Sequence, residues 1–175
     1  MSIAIGAPAP TFTLPDTAGA EHGVMPSDSA PATLVVFTCN HCPYALAWHD
    51  RIAAVARDYP NVKVLAVNPN DSERYPRDSF DAMRERVTRD GGWPMPYLRD
   101  ETQVVARAYD ARKTPDCFVI DGAGNIVYRG APDADYEDPS LEAAWVRGAL
   151  DAVLAGDAPD PAETTPVGCS VKWKS

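Results

Sequence analysis

The stretch VVFTCNHCPYALAWHD, residues 35–50, carries Cys39, His41, Cys42 and His49. Two thiols three positions apart near a helix start lie within reach of one disulfide. Such a pair serves as a redox couple, as half of a metal site, or as two small apolar side chains. Only a thiolate attacks sulfur or binds metal, so the surroundings of the pair matter more than its spacing. Cys39 follows an apolar run and Cys42 opens a helical pattern. Free N–H groups and the positive dipole end of a helix start favour thiolate on Cys39. His41, as imidazolium or as a donor, would add to that effect and make the disulfide more oxidising; it could equally be a solvated helix-start residue.

The elements that must position these groups can be read from periodicity. ATLVVF, 32–37, is a short continuous apolar run, as expected of a strand buried on both faces. After Pro43, which is tolerated in a first helical turn, Tyr44, Trp48, Ile52, Val55 and Tyr59 mark one helix face, and Pro60 ends it. VKVLAVN, 62–68, is a second strand, giving a right-handed βαβ unit. A helix is predicted over 79–90 and a short strand near Tyr97 and Leu98. Asp100 with Gln103 suggests a capping box, opening a short helix striped by Val104, Val105, Ala108 and Tyr109. DCFVID and NIVYRG, joined by GAG, read as an antiparallel hairpin, and Leu141, Trp145, Ala149 and Val153 as a last helix. Residues 3–30 read as a small hairpin or irregular opening segment, DADYEDPS at 133–140 as a solvated acidic loop, and 156–175 as an irregular tail. The expected fold class is α/β, a mixed central sheet flanked by helices, in one domain spanning 1–175.

Composition narrows the function classes. The 175 residues are 45% hydrophobic and 23% charged, with a net charge of −9. That sign disfavours nucleic acid and anionic membrane as partners. No run approaches the roughly 20 apolar residues of a membrane span, and the N-terminus lacks a basic, then apolar, leader pattern. Four cysteines are too few for a disulfide scaffold, which points to a cytoplasmic setting. A structural zinc site needs four ligands, whereas His22, Cys117 and Cys169 are scattered singly, so neither metal nor cofactor is expected.

Several stretches together carry a resemblance: GAPAPTFTLPDTAG (6–19), FTCNHCPYALAW (37–48), NPNDSERYPRDS (68–79), PYLRDETQVVARAYDARKTPDCFVID (96–121), GNIVYRG (124–130) and GCSVKW (168–173). The chain resembles the thioredoxin-like superfamily, specifically its peroxiredoxin-like branch (AhpC/TSA, redoxin) bearing a CxxC. The resemblance implies a thioredoxin-like fold with an N-terminal β extension. It implies Cys39 as an attacking, more exposed thiol and Cys42 as a buried resolving thiol. Thr114 and Pro115 match the Thr-Pro pair whose proline is cis beside the disulfide. The implied activity is thiol–disulfide oxidoreduction through a mixed disulfide, with a protein or small-molecule disulfide as substrate and a thiol electron donor.

The sequence also departs from the pattern. Thr38 stands where thioredoxin has Trp, no buried Asp precedes the motif, and Lys113 stands where relatives carry a cysteine. A peroxidase would place an Arg where Pro115 stands, so the peroxidase reading, with a peroxide as substrate, ranks second. A non-enzymatic binding or metal module is a third reading, disfavoured because both cysteines are kept. Cys169 could be a third redox thiol or a packed tail residue; the packed reading is preferred. Oligomeric state is not legible.

Overall fold

A computed structural model describes residues 3–175. Its centre is a five-stranded sheet of β3 (Ala32–Phe37), β4 (Lys63–Asn68), β5 (Tyr97–Arg99), β7 (Asp116–Asp121) and β8 (Ile126–Gly130), in the order β5-β4-β3-β7-β8. β3, β4, β5 and β8 run in one direction, while β7, between β3 and β8, runs antiparallel to both neighbours, so the sheet is mixed. The antiparallel β7–β8 hairpin turns through Asp121, whose carboxylate accepts the Ala123 and Asn125 N–H groups, and Gly124, at φ +86. A left-handed residue there needs glycine.

All six residues of β3 are buried, because helices cover one face of the sheet and loops with a short helix cover the other. Leu34 and Val36 join a core with Ile52, Val55, Met83, Val119, Val146 and Leu150. Val35 and Phe37 point the opposite way, into a core with Val67, Phe118, Tyr109 and Phe12. Period-two alternation with apolar residues on both faces gives the continuous run seen in the sequence. Phe37, Tyr109 and Phe118 meet with centroids 5.3–5.8 Å apart, a tilted and edge-on arrangement suited to aromatic quadrupoles.

The helices are α1 (Pro43–Asp58), α2 (Phe80–Arg89), α3 (Val104–Ala108) and α4 (Ala144–Leu154). On α1, Trp48, Ile52 and Val55 are buried as their spacing predicts. The opening hairpin pairs β1 (Phe12–Pro15) with β2 (Glu21–Val24), forming the N-terminal β extension.

Four sequence expectations are corrected. No capping box forms: Asp100 accepts the Ala106 N–H, and Gln103 sits at φ 63 with its side chain turned to Pro69 and Lys172 carbonyls. The buried face of α3 is Val105, Ala106 and Tyr109, while Val104 is 63% exposed. The last helix begins at Ala144, not Leu141, because Glu142 and Ala143 adopt left-handed backbone. The 133–140 loop is no solvated acidic loop at its start. Asp133, 1% exposed, binds Arg51 at 2.9 Å and accepts from Trp48 Nε1 and the Ala143 N–H. Tyr136 packs on Tyr44 with centroids 4.4 Å apart, so the loop clamps the start of α1. The tail is irregular as expected, apart from β9 (Cys169–Ser170), which pairs antiparallel with β6 (Lys113–Thr114).

Candidate active site

The C-terminal end of β3 and the N-terminus of α1 deliver the two thiols to one place. Cys42 is the N-cap residue of α1 and Pro43 follows in its first turn, where a missing N–H costs nothing. Cys39 and Cys42 pack together with Ala45, and Tyr44 and Cys169 lie against them. Both are reduced.

Thr114 lies against both thiols. The bond between Thr114 and Pro115 is cis. The Thr114 hydroxyl lies 3.4 Å from the Cys39 sulfur, and the Cys42 thiol donates to the Thr114 carbonyl at 3.0 Å. Sequence separations of 75 and 72 residues are closed here by the β3–β7 pairing, which sets Phe37 opposite Asp116.

One expectation about Cys39 is overturned. It is not exposed: both cysteines are 0% exposed, because Thr114, the CNHC loop and the C-terminal tail close around them. The Cys42 pKa falls to about 4, chiefly through a hydrogen bond from Cys39, against burial and helped by a further bond from Cys169. Cys39 is pushed up by that same shared proton, by burial and by the nearby Asp78 carboxylate. The Thr114 carbonyl opposes full localisation of charge on Cys42, since a thiolate cannot donate to it. The two ionisations therefore belong to the pair, the first far below a free thiol and the second far above.

His41 is brought to the site, though not as a solvated residue. Its side chain is 20% exposed, its Nδ1 lies 2.5 Å from Asp78 Oδ2, and its ring stacks on Tyr75 at 5.5 Å. Asp78 is the residue that sequence reasoning missed. It is fully buried at the end of a 3-10 turn, Pro76–Asp78, and it accepts the Asn40 N–H at 2.7 Å and side-chain amides of Asn68 and Asn70. Asn40 in turn accepts from Tyr97 OH at 2.8 Å and from Arg86, which also donates to the Cys39 carbonyl at 3.1 Å. The CNHC loop is thus held on both sides of Cys39 by buried polar partners. Nothing in the polar NPNDSERYPRDS stretch marks Asp78 apart from Asp71, so only its inward aim identifies it.

Cys39, His41 and Asp78 place three donor atoms within 4.8 Å of one another, a set that could hold a metal ion. The set offers three ligands where structural zinc takes four, and two of its members already bind each other. Lys113 lies in β6, half-buried, with its backbone paired to Ser170. Cys117 is in the core and its thiol is pushed up by burial, away from any nucleophilic role. A concavity of about 670 Å³ lies at the start of β4 against the opening hairpin. No helix among the described residues is long and apolar enough to cross a membrane.

Comparisons with known proteins bear on the fold and the family. The chain aligns over its full length with a hypothetical protein from Sinorhizobium meliloti 1021, at 34% identity and a TM-score of 0.91, covering 97% of that chain. An uncharacterized conserved protein from Geobacillus kaustophilus matches 98% of this chain and 93% of its own, at 38% identity and a TM-score of 0.90. A thiol:disulfide interchange protein of the thioredoxin family from Chlorobium tepidum TLS, 17% identical, shares the fold, with a TM-score of 0.62 over 82% of this chain and 97% of that one. No curated protein matches the sequence. The AhpC/TSA family model matches residues 5–129. A mixed sheet with a dithiol at the strand–helix junction and a cis proline against it is the thioredoxin-like architecture, and this chain belongs to the AhpC/TSA family.

Proposed function

We propose that the protein is a thiol–disulfide oxidoreductase working through Cys39 and Cys42. The observation that carries this reading is the packing of the two sulfurs against each other and against the Thr114 hydroxyl and carbonyl. A dithiol that ionises once below neutral pH has a nucleophile ready and a second thiol in place to resolve. Membership of a redox family and likeness to a thiol:disulfide interchange protein support it.

Cys39 is the attacking thiol in this proposal: the proton between the sulfurs settles on Cys42, whose thiol donates to the Thr114 carbonyl, and leaves Cys39 as the thiolate that attacks. Attack on a substrate disulfide forms a bond from Cys39 to one substrate sulfur and releases the other as thiolate. Cys42 then attacks Cys39, forming the internal disulfide and freeing the reduced substrate. The reverse sequence oxidises a dithiol substrate. In the resolving step Cys42 sheds the proton it took from Cys39, and the departing substrate thiolate, or His41 held by Asp78 within 4.8 Å of the Cys39 sulfur, is placed to take it. A thiol donor would restore the dithiol, and the cysteine usage suits a reducing, cytoplasmic setting.

The test is insulin-disulfide reduction. Cys39→Ser is expected to abolish activity, and Cys42→Ser to accumulate mixed disulfides. Full activity in Cys39→Ser would remove the assignment. Family membership favours a second reading, a thiol peroxidase. Its guanidinium would have to be Arg86, which is occupied by the Cys39 carbonyl, Asn40 and the Trp93 ring 4.8 Å away. Rapid saturable hydrogen-peroxide turnover with a thiol donor would promote it over the first.

A further inference from the structure

We propose that Cys169 is a third redox thiol, and that Cys42 can be bonded either to Cys39 or to Cys169. The proposal rests on the reading above, that Cys39 and Cys42 form a disulfide.

The tail is fixed over the thiols by several independent contacts. β9 lies beside β6 with Thr114 opposite Cys169, so the residue that touches both active sulfurs is also the register partner of the third cysteine. Cys169 packs against the cluster of Cys39, Cys42 and Ala45. The residue before it is Gly168, where a Cβ would fall 2.3 Å from the Thr114 carbonyl oxygen, so only glycine admits this approach. Beyond it, the Val171 N–H donates to the Arg112 carbonyl. Asn70 accepts the Lys172 N–H at 2.9 Å, the Asp71 N–H donates to the Lys172 carbonyl, and Gln103 both donates to that carbonyl and accepts the Lys174 N–H. Asn70 and Gln103 are 1% exposed. Buried side chains committed to a C-terminal strap place Cys169 at one position. Cys117, by contrast, is locked in the sheet between Val36 and Gly130 and does not join the cluster.

The step balances within the protein. The Cys169 thiolate attacks the Cys42 sulfur of the Cys39–Cys42 disulfide. The new Cys42–Cys169 bond forms as the old one breaks, its electron pair leaves on Cys39, and Cys39 takes up the proton that Cys169 gave. No net oxidant is consumed. The dithiol state holds Cys169 back: its pKa is pushed up to about 11 by burial and by its bond and charge interaction with Cys42, while Lys172 and Lys113 pull the other way. Once Cys42 is in a disulfide, its bond and charge no longer raise Cys169 and the lysines remain, so Cys169 ionises more readily when its target appears, burial still opposing. The exchange frees Cys39 for a second substrate while the oxidising equivalent is held under the tail.

The test maps disulfides by mass spectrometry in the full-length wild-type protein, Cys39→Ser and Cys169→Ser, each reduced and then oxidised with diamide. Cys39→Ser retains three of the four cysteines. Its thiol count is expected to fall from three to one, with a Cys42–Cys169 cross-linked peptide. In graded glutathione buffers the wild type is expected to yield both the Cys39–Cys42 and the Cys42–Cys169 peptides. Three thiols remaining in oxidised Cys39→Ser, or only Cys39–Cys42 in the wild type at every ratio, overturns the proposal. Cys169→Ser separates the two claims: a Cys39–Cys42 bond there keeps the parent reading even if the third thiol fails, and its absence removes the parent reading itself.

Discussion

One proton shared between Cys39 and Cys42 should be visible in how the reduction potential depends on pH. Two ordinary thiols each take up a proton on reduction, giving about 59 mV per pH unit for the two-electron couple. If the pair ionises once near the value of about 4 drawn for Cys42, the reduced protein holds only one of those two protons between pH 5 and 8. The slope then halves to about 30 mV per unit. The same shift acts on stability. The Cys42 pKa is depressed in the folded reduced state, so the stability it brings is full above the unfolded value of 9.0 and is lost as pH falls through about 4. At pH 7 that stability favours the reduced fold and is absent from the disulfide form. The groups facing the pair are Asp78, which opposes charge on Cys39, His41 bound to Asp78, Cys169, and the lysines at 113 and 172 that act on Cys169. The assay equilibrates the protein with glutathione between pH 5 and 8, reads the oxidised fraction by thiol alkylation, and follows thiolate absorbance at 240 nm. Cys39→Ala removes the principal donor and should move the first thiolate midpoint upward by more than one unit, with Cys169 still supplying its smaller share. A slope near 59 mV throughout, or one midpoint in wild type and Cys39→Ala alike, would refute the shared-proton argument.

Three further outcomes follow from buried groups. Asp116 is 0% exposed, with its pKa raised to about 7 chiefly by burial, so the stability of its neutral form is full below 3.8 and lost as pH rises through about 7. Asp116→Asn should therefore gain on wild type between pH 4 and 8, by up to about 4 kcal/mol, in thermal unfolding; a pH-independent gap counts against this. Asp133→Ala strands Arg51, Trp48 Nε1 and the Ala143 N–H. Breaking a buried ion pair in this way costs about 3–5 kcal/mol, lowering Tm by roughly 10 °C, and an unchanged Tm contradicts the clamp. Gly168→Ala drives a methyl onto the Thr114 carbonyl, so hydrogen exchange across 168–174 should quicken by about tenfold for each 1.4 kcal/mol of lost docking, with the central sheet unaffected.

The elements that make their contacts locally were legible. The all-apolar run 32–37 could only be a strand buried on both faces, and the spacing from Trp48 to Val55 could only be one helix face. The β7–β8 hairpin announced itself through its glycine turn. Where local signals competed with distant partners, they misled. Asp100 and Gln103 look like a capping box, yet Gln103 is drawn away by the C-terminal tail, more than sixty residues on in the chain. Asp133 sits among acidic loop residues, and only the side of α1 carrying Arg51 makes burying it favourable.

The same division holds for chemistry. Residue types and spacing alone established that Cys39 and Cys42 meet at a strand–helix junction, because a CxxC followed by a first-turn proline closes over a few local dihedrals. The tertiary structure decided that both sulfurs are shielded from water, and that Asp78 and Cys169 stand beside them. Ionisation and access are set by every group within a few ångströms, and those groups arrive from parts of the chain whose meeting no local pattern encodes.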